Sequence, residues 1–183
     1  MKHIGAMAAI VFVLFATPIL ADEFGAGISA GPLYPVLQQD QESGYTIGLK
    51  IRSKLIGPVF FEPNLRFGGF GDISIAGVGG REGSKITFYG LDMTLGGGNG
   101  GVGPKPYLFI GGGVYNVKRE GDETGNNSGW STGVGVAVGL MKYLDIDLRG
   151  RFNIVSSEGS SSRKSAAVTI GVVYFFGKQY GGE

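Results

Sequence analysis

The segment "LDIDLRGRFNI", Leu144 to Ile154, constrains the fold more than any other part of the chain. Leu144, Ile146, Leu148, Gly150, Phe152 and Ile154 alternate with Asp145, Asp147, Arg149, Arg151 and Asn153. A period of two puts successive side chains on opposite faces of a strand. One face is apolar or small, and the other carries two acids and two bases. Such a strand borders two different media, and the fold depends on which face meets which.

The pattern recurs in runs of about ten residues at 24–33, 44–53, 59–70, 85–95, 106–118, 129–141, 144–154 and 166–176. Clusters of Gly, Ser, Asn, Asp and Pro separate them. Phe24, Ala26, Ile28 and Ala30 share one face of the first run. Tyr45, Ile47, Leu49 and Ile51 oppose Thr46, Gly48, Lys50 and Arg52; Phe61, Leu65 and Phe67 oppose Glu62, Asn64 and Arg66. Tyr89, Leu91, Met93 and Leu95 oppose Phe88, Gly90, Asp92 and Thr94. Trp130, Val134, Val136, Val138 and Leu140 oppose Ser131, Gly133, Gly135, Ala137 and Gly139. Val168, Ile170, Val172, Tyr174 and Phe176 oppose Thr169, Gly171, Val173 and Phe175. The run 106–118 is apolar on both faces, so its phase stays open. No helical period occurs, and short strands at regular spacing indicate an all-β barrel or sandwich.

Residues 1–21, "MKHIGAMAAIVFVLFATPILA", have a basic start, an apolar run and a small residue before Asp22. They read as a cleaved secretory signal peptide, with 22–183 as one mature domain. Later segments are not apolar enough for a membrane helix. The formal net charge of +1 and interspersed signs give no electrostatic case for nucleic acid. With no cysteine, disulfides and thiolate metal sites are excluded.

A soluble barrel would keep its apolar face inside; a membrane barrel reverses this. Four features favour the membrane. The chain is exported, and its strands match the roughly 9–11 residues of a tilted bilayer crossing. Tight joins at "KLIGP" and "KYL" alternate with longer polar connections at 34–43, 71–84, 119–128 and 155–165. The connection "GGGNGGVGPK" departs from the trend, with about ten residues on the short-turn side. Finally, glycine and small polar residues share the polar faces with a few long charges, as a narrow lumen filled by side chains requires. Thirty-six glycines fit that demand. The expectation is an eight-stranded antiparallel up-and-down transmembrane β-barrel. Its lumen collects Lys50, Arg52, Glu62, Arg66, Asp92, Asp145, Asp147, Arg149 and Arg151. Five bases face four acids there, and buried charge must be paired or hydrated. Tyr45, Trp130 and Tyr174 lie at strand ends, where an interfacial aromatic girdle belongs.

The terminal run "VTIGVVYFF" resembles the C-terminal assembly signal of outer-membrane β-barrels, with Val172, Tyr174 and Phe176 at alternate positions. "KPYLFIGGGVY" and "GLMKYLDIDLRGRF" are similar to hairpin regions of small OmpA-like and OmpX-like barrels. The resemblance runs from Phe24 to Phe176 and implies an outer membrane protein β-barrel domain of a Gram-negative, porin-like kind. It implies lipid and the barrel-assembly machinery as partners. The tail "GKQYGGE" departs from the pattern, leaving Tyr180 as an alternative final aromatic. Also lacking is the peptidoglycan-binding domain of larger OmpA-type proteins.

Barrel enzymes of the lipid A palmitoyltransferase and deacylase types resemble this fold and rely on a His with Ser and an acid. The single histidine, His3, lies in the signal peptide, so a base to activate a hydroxyl is missing. No catalytic, cofactor or metal site is expected. "GDETGNN" lacks Ca²⁺-loop spacing, and the glycines of "GGGNGG" read as a turn. The expected function is a non-enzymatic outer-membrane protein with a structural or surface-interaction role carried by its exterior loops. A narrow solute channel and a soluble periplasmic lipid carrier are the alternatives.

Overall fold

This computed structural model describes residues 23–36, 42–75, 79–81, 83–98, 102–118, 125–156 and 162–177. Residues 1–21, expected to be a signal peptide, Tyr180 and parts of the long connections lie outside them. Ten strands run in chain order: β1 Glu23–Val36, β2 Gly44–Ile56, β3 Val59–Gly69, β4 Ile73–Ile75 and β5 Gly79–Arg81. There follow β6 Lys85–Gly96, β7 Gly103–Lys118, β8 Gly125–Met141, β9 Leu144–Val155 and β10 Arg163–Gly177. Eight of them close into an antiparallel barrel in the order β1-β10-β9-β8-β7-β6-β3-β2. Closure removes the free edges that an open sheet of this size would expose.

β4 and β5 form a separate two-stranded hairpin. The segment 71–84, expected to be a plain polar connection, therefore holds secondary structure of its own. The strands also reach further than the sequence period alone indicates. β8 starts at Gly125 rather than 129, because Gly125, Asn126, Asn127 and Ser128 pair with Val117, Asn116, Tyr115 and Val114. Polar side chains do not stop a ladder whose partner strand is present. For the same reason β7 starts at Gly103, which shortens the glycine-rich connection to 97–102.

Three short connections and both ends of the barrel chain lie at one end. There Gly57–Pro58 and Lys142–Tyr143 each span a two-residue turn. Gly57 has φ of 52°, the left-handed region that a two-residue hairpin turn requires. The four longer connections lie at the other end.

The period of two is now spatial. Along β9 the burial alternates residue by residue, with Asp145, Asp147, Arg149, Arg151 and Asn153 buried. Leu148, between two of those charges, is 51% exposed. Ile28, Ile47, Leu49, Leu108, Ile110, Val134, Val168, Ile170 and Val172 are likewise exposed around the outer wall. A soluble protein rarely exposes a contiguous apolar band of that extent, whereas a bilayer solvates it. The apolar side chains are outside and the ionised ones inside.

Candidate functional site

Among the described residues, the strands bring their charged side chains together in the lumen. All nine charged residues expected there face inward. Their grouping follows from register. Arg52, which the Lys50–Asn64 and Ser53–Phe61 pairs place beside Glu62, donates through Nε to its Oε1. Glu62 lies opposite Asp92, and Arg149 reaches across the barrel to both. Its Nη2 donates to Glu62 Oε2 at 2.6 Å and its Nη1 to Asp92 Oδ2 at 3.2 Å. Arg151 clasps both oxygens of Asp92, with Nη1 to Oδ1 at 3.0 Å, and also donates to Ser131 Oγ at 2.6 Å. Planar guanidinium forks suit this bidentate, shared geometry better than ammonium groups do.

A second set joins the first through Tyr107. Its hydroxyl donates to Asp147 Oδ1 and accepts from Arg149 Nε at 2.8 Å. Lys50 donates to Asp147 Oδ2. The paired side chains are almost fully removed from solvent, with exposures of 0% for Glu62 and Asp92 and 5% for Arg149. In such surroundings an unpaired ion would cost several kcal/mol, so mutual pairing is what allows the charges to stay. Asp145 is met by Lys105, which donates to both carboxylate oxygens at 3.0 and 2.9 Å. Lys105 lies just before the run 106–118 and was outside the expected set.

Aromatic side chains occupy the rest of the lumen. β7, whose phase the sequence left open, turns Tyr107, Phe109 and Tyr115 inward and Leu108 and Ile110 outward. Phe60, Phe88 and Phe175 are buried with them. Arg66 stacks on Phe88 at 3.9 Å, Arg149 on Phe109 at 4.7 Å and Arg151 on Phe109 at 4.4 Å. The ring faces carry partial negative charge toward the guanidinium planes. Glycine on the neighbouring strands makes room. A Cβ on Gly135 would lie 2.2 Å from Tyr107 Cζ, and one on Gly111 would lie 2.0 Å from Asp92 Oδ1. The signal for these rings was present as aromatic residues paired with glycine across adjacent runs. It could be used only once the register was known.

The result is a filled interior. Two lumenal cavities, one beside Lys50 and Arg66 and one beside Tyr115 and Val155, each measure about 30 Å³, room for one or two waters. Among the described residues no group of three or more His, Cys, Asp or Glu could hold a metal ion.

The outer wall carries the remaining expected residues. Tyr45 and Trp130 are 64% and 45% exposed near the long-connection end. Tyr174, Phe176 and Phe24 sit at the opposite end. Phe24 of β1 stacks on Phe176 of β10 at 5.2 Å, and Phe176 meets Tyr174 edge-on at 4.9 Å. Tyr143, in the β8–β9 turn, continues this row at 5.6 Å from Tyr174. Val172 lies outward in the same row, 42% exposed.

Comparisons with known proteins agree with this architecture. The family model described as "Outer membrane protein beta-barrel domain" matches residues 7–176. A search of curated protein sequences finds no match. Among solved structures, the chain is similar to Neisserial surface protein A, with a TM-score of 0.66 and 14% identity over 85% of this chain and 98% of that one. It is similar to the outer membrane protein OprG from Pseudomonas aeruginosa, with a TM-score of 0.58 and 12% identity over 86% and 97%. It is also similar to Ail, the attachment invasion locus protein of Yersinia pestis, with a TM-score of 0.55 and 13% identity over 85% and 99%.

Proposed function

Because this chain belongs to the outer membrane protein β-barrel domain family and resides in the outer membrane, we propose that it is a non-enzymatic anchor presenting an exterior surface. The soluble-carrier alternative falls with that location. The observation that carries the reading is the filled lumen. Glu62, Asp92, Asp147, Arg149 and Arg151 meet across the full width of the barrel, with aromatic rings between them. Eight strands leave an interior just wide enough for side chains, and here the side chains occupy it.

With the bore occupied, variation and recognition fall to the four longer connections at one end. By the usual arrangement of such barrels these face the exterior, and the short turns and termini face the periplasm. The β4–β5 hairpin extends one of them and is the most structured part of that surface among the described residues. At the other end Val172, Tyr174 and Phe176 form the outward row offered to the barrel-assembly machinery, and the Phe24–Phe176 stack joins the first and last strands once the barrel has closed. The test is conductance across a planar bilayer. The purified, folded barrel should give no stable single-channel steps. Steps that persist and change size in Arg149→Gln would make the lumen a conduit and overturn the reading.

A further inference from the structure

The internal cavity in the middle of the lumen holds an imbalance of charge. Its walls include Lys50, Arg66, Arg149 and Arg151 but only one carboxylate, Asp147. Three of those cations have carboxylate partners: Lys50 with Asp147, Arg149 with Glu62 and Asp92, and Arg151 with Asp92. Arg66 has none among the described residues. Its guanidinium donates long hydrogen bonds to Asn153 Oδ1 at 3.3 Å and Tyr115 Oη at 3.4 Å and lies over the Phe88 ring. Its Nε is buried without an acceptor. Along the lumen as a whole, six cations (Lys50, Arg52, Arg66, Lys105, Arg149, Arg151) face four carboxylates (Glu62, Asp92, Asp145, Asp147).

We propose that this cavity is a binding site for a small inorganic anion of the size of chloride. Arginine does not shed its proton in proteins, so the excess charge cannot be removed by titrating Arg66. Arg66 as a whole is half-buried, but its Nε is fully enclosed, and a cation held there without a carboxylate is stabilised by a counter-ion within reach of it. The cavity volume of about 30 Å³ exceeds what one water needs and admits a single halide. The anion supplies the missing acceptor for the Arg66 guanidinium and sits within the field of Lys50, Arg149 and Arg151. Thr46 adds a further polar side chain to the wall. Asn64 Oδ1, buried without a donor, and the Asp147 carboxylate, already held by Lys50, are the two wall groups that oppose an anion, against four cations.

The test compares the full mature protein refolded from urea into detergent micelles containing sodium chloride or sodium gluconate at equal ionic strength. Gluconate is too large for the cavity. In chloride the folding constant should rise as 1 + [Cl⁻]/Kd and saturate in the manner of a single site. Arg66→Gln should abolish that dependence, while Lys85→Gln, on the exposed outer rim, should keep it. Crystals grown with bromide should show an anomalous peak between Arg66 and Lys50. Equal folding constants in the two salts, a chloride dependence that survives Arg66→Gln, or bromide crystals with no peak in the cavity would each overturn the proposal. If Arg66→Gln does not fold, the bromide signal in the unaltered protein decides.

Discussion

Replacing Glu62 by Gln tests whether the lumen is dry. The side chain keeps its shape, so packing is preserved while one charge is lost and one acceptor becomes a donor. Glu62 is fully buried and is shared by Arg52 and Arg149. The two guanidiniums do not lose equally. Arg149 retains Asp92 at 3.2 Å and the Tyr107 hydroxyl at 2.8 Å. Arg52 retains only Asp147 at 3.9 Å and the ring faces of Tyr107 and Phe60, at 5.1 and 6.0 Å. Its Nη1 and Nη2 already lack hydrogen-bond partners. Stranding such a cation costs about 3–5 kcal/mol when no water reaches it. Asp145→Asn is the contrast: its partner Lys105 is 18% exposed, so that loss should be about 1 kcal/mol or less.

The assay is a urea titration in micelles, read by the fluorescence of the single tryptophan, Trp130, and by heat-modifiable migration. Adding Arg52→Met to Glu62→Gln should recover part of the stability, because the stranded charge is then gone. A loss below about 1 kcal/mol for Glu62→Gln, with simple additivity in the double variant, would mean that water screens these charges, and the dry-lumen reasoning would fail.

Two further outcomes check the faces and the seam. Leu148→Arg, which puts a cation on the outer wall near mid-strand, should cost about 2–4 kcal/mol, and a spin label at position 148 should report hydrocarbon where one at 149 does not; bulk water at 148 would invert the assignment. Phe176→Asp removes the stack on Phe24 and sets a charge in the terminal aromatic row, so folded, heat-modifiable protein should fall several-fold in the membrane fraction; unchanged yield would sink the role given to that row.

Much of this molecule is legible in one dimension. The alternation in "LDIDLRGRFNI" determines that Asp145, Asp147, Arg149 and Arg151 share a face, whatever the strand pairs with, because a strand has only two faces. Eight such runs in an exported chain determine closure and an inverted barrel, since only there do the apolar rows and the charged rows both find suitable surroundings. Partnership is different. Lys50 and Asp147 lie 97 residues apart, and Arg149 and Glu62 lie 87 apart. Which acid meets which base depends on the stagger of the closed sheet, and a lumen only a few side chains wide lets an arginine choose among several carboxylates. The run 106–118 shows the same limit. With apolar residues on both faces its phase is decided by neighbours: Tyr107 turns inward where it lies opposite Gly96 on β6 and Gly135 on β8, the two positions without a side chain to obstruct it. Likewise Lys105 becomes part of the lumen only because β7 starts early enough to carry it to Asp145. Periodicity determined inside and outside; tertiary register decided who pairs with whom, because pairing is a property of distances between strands and not of order along one.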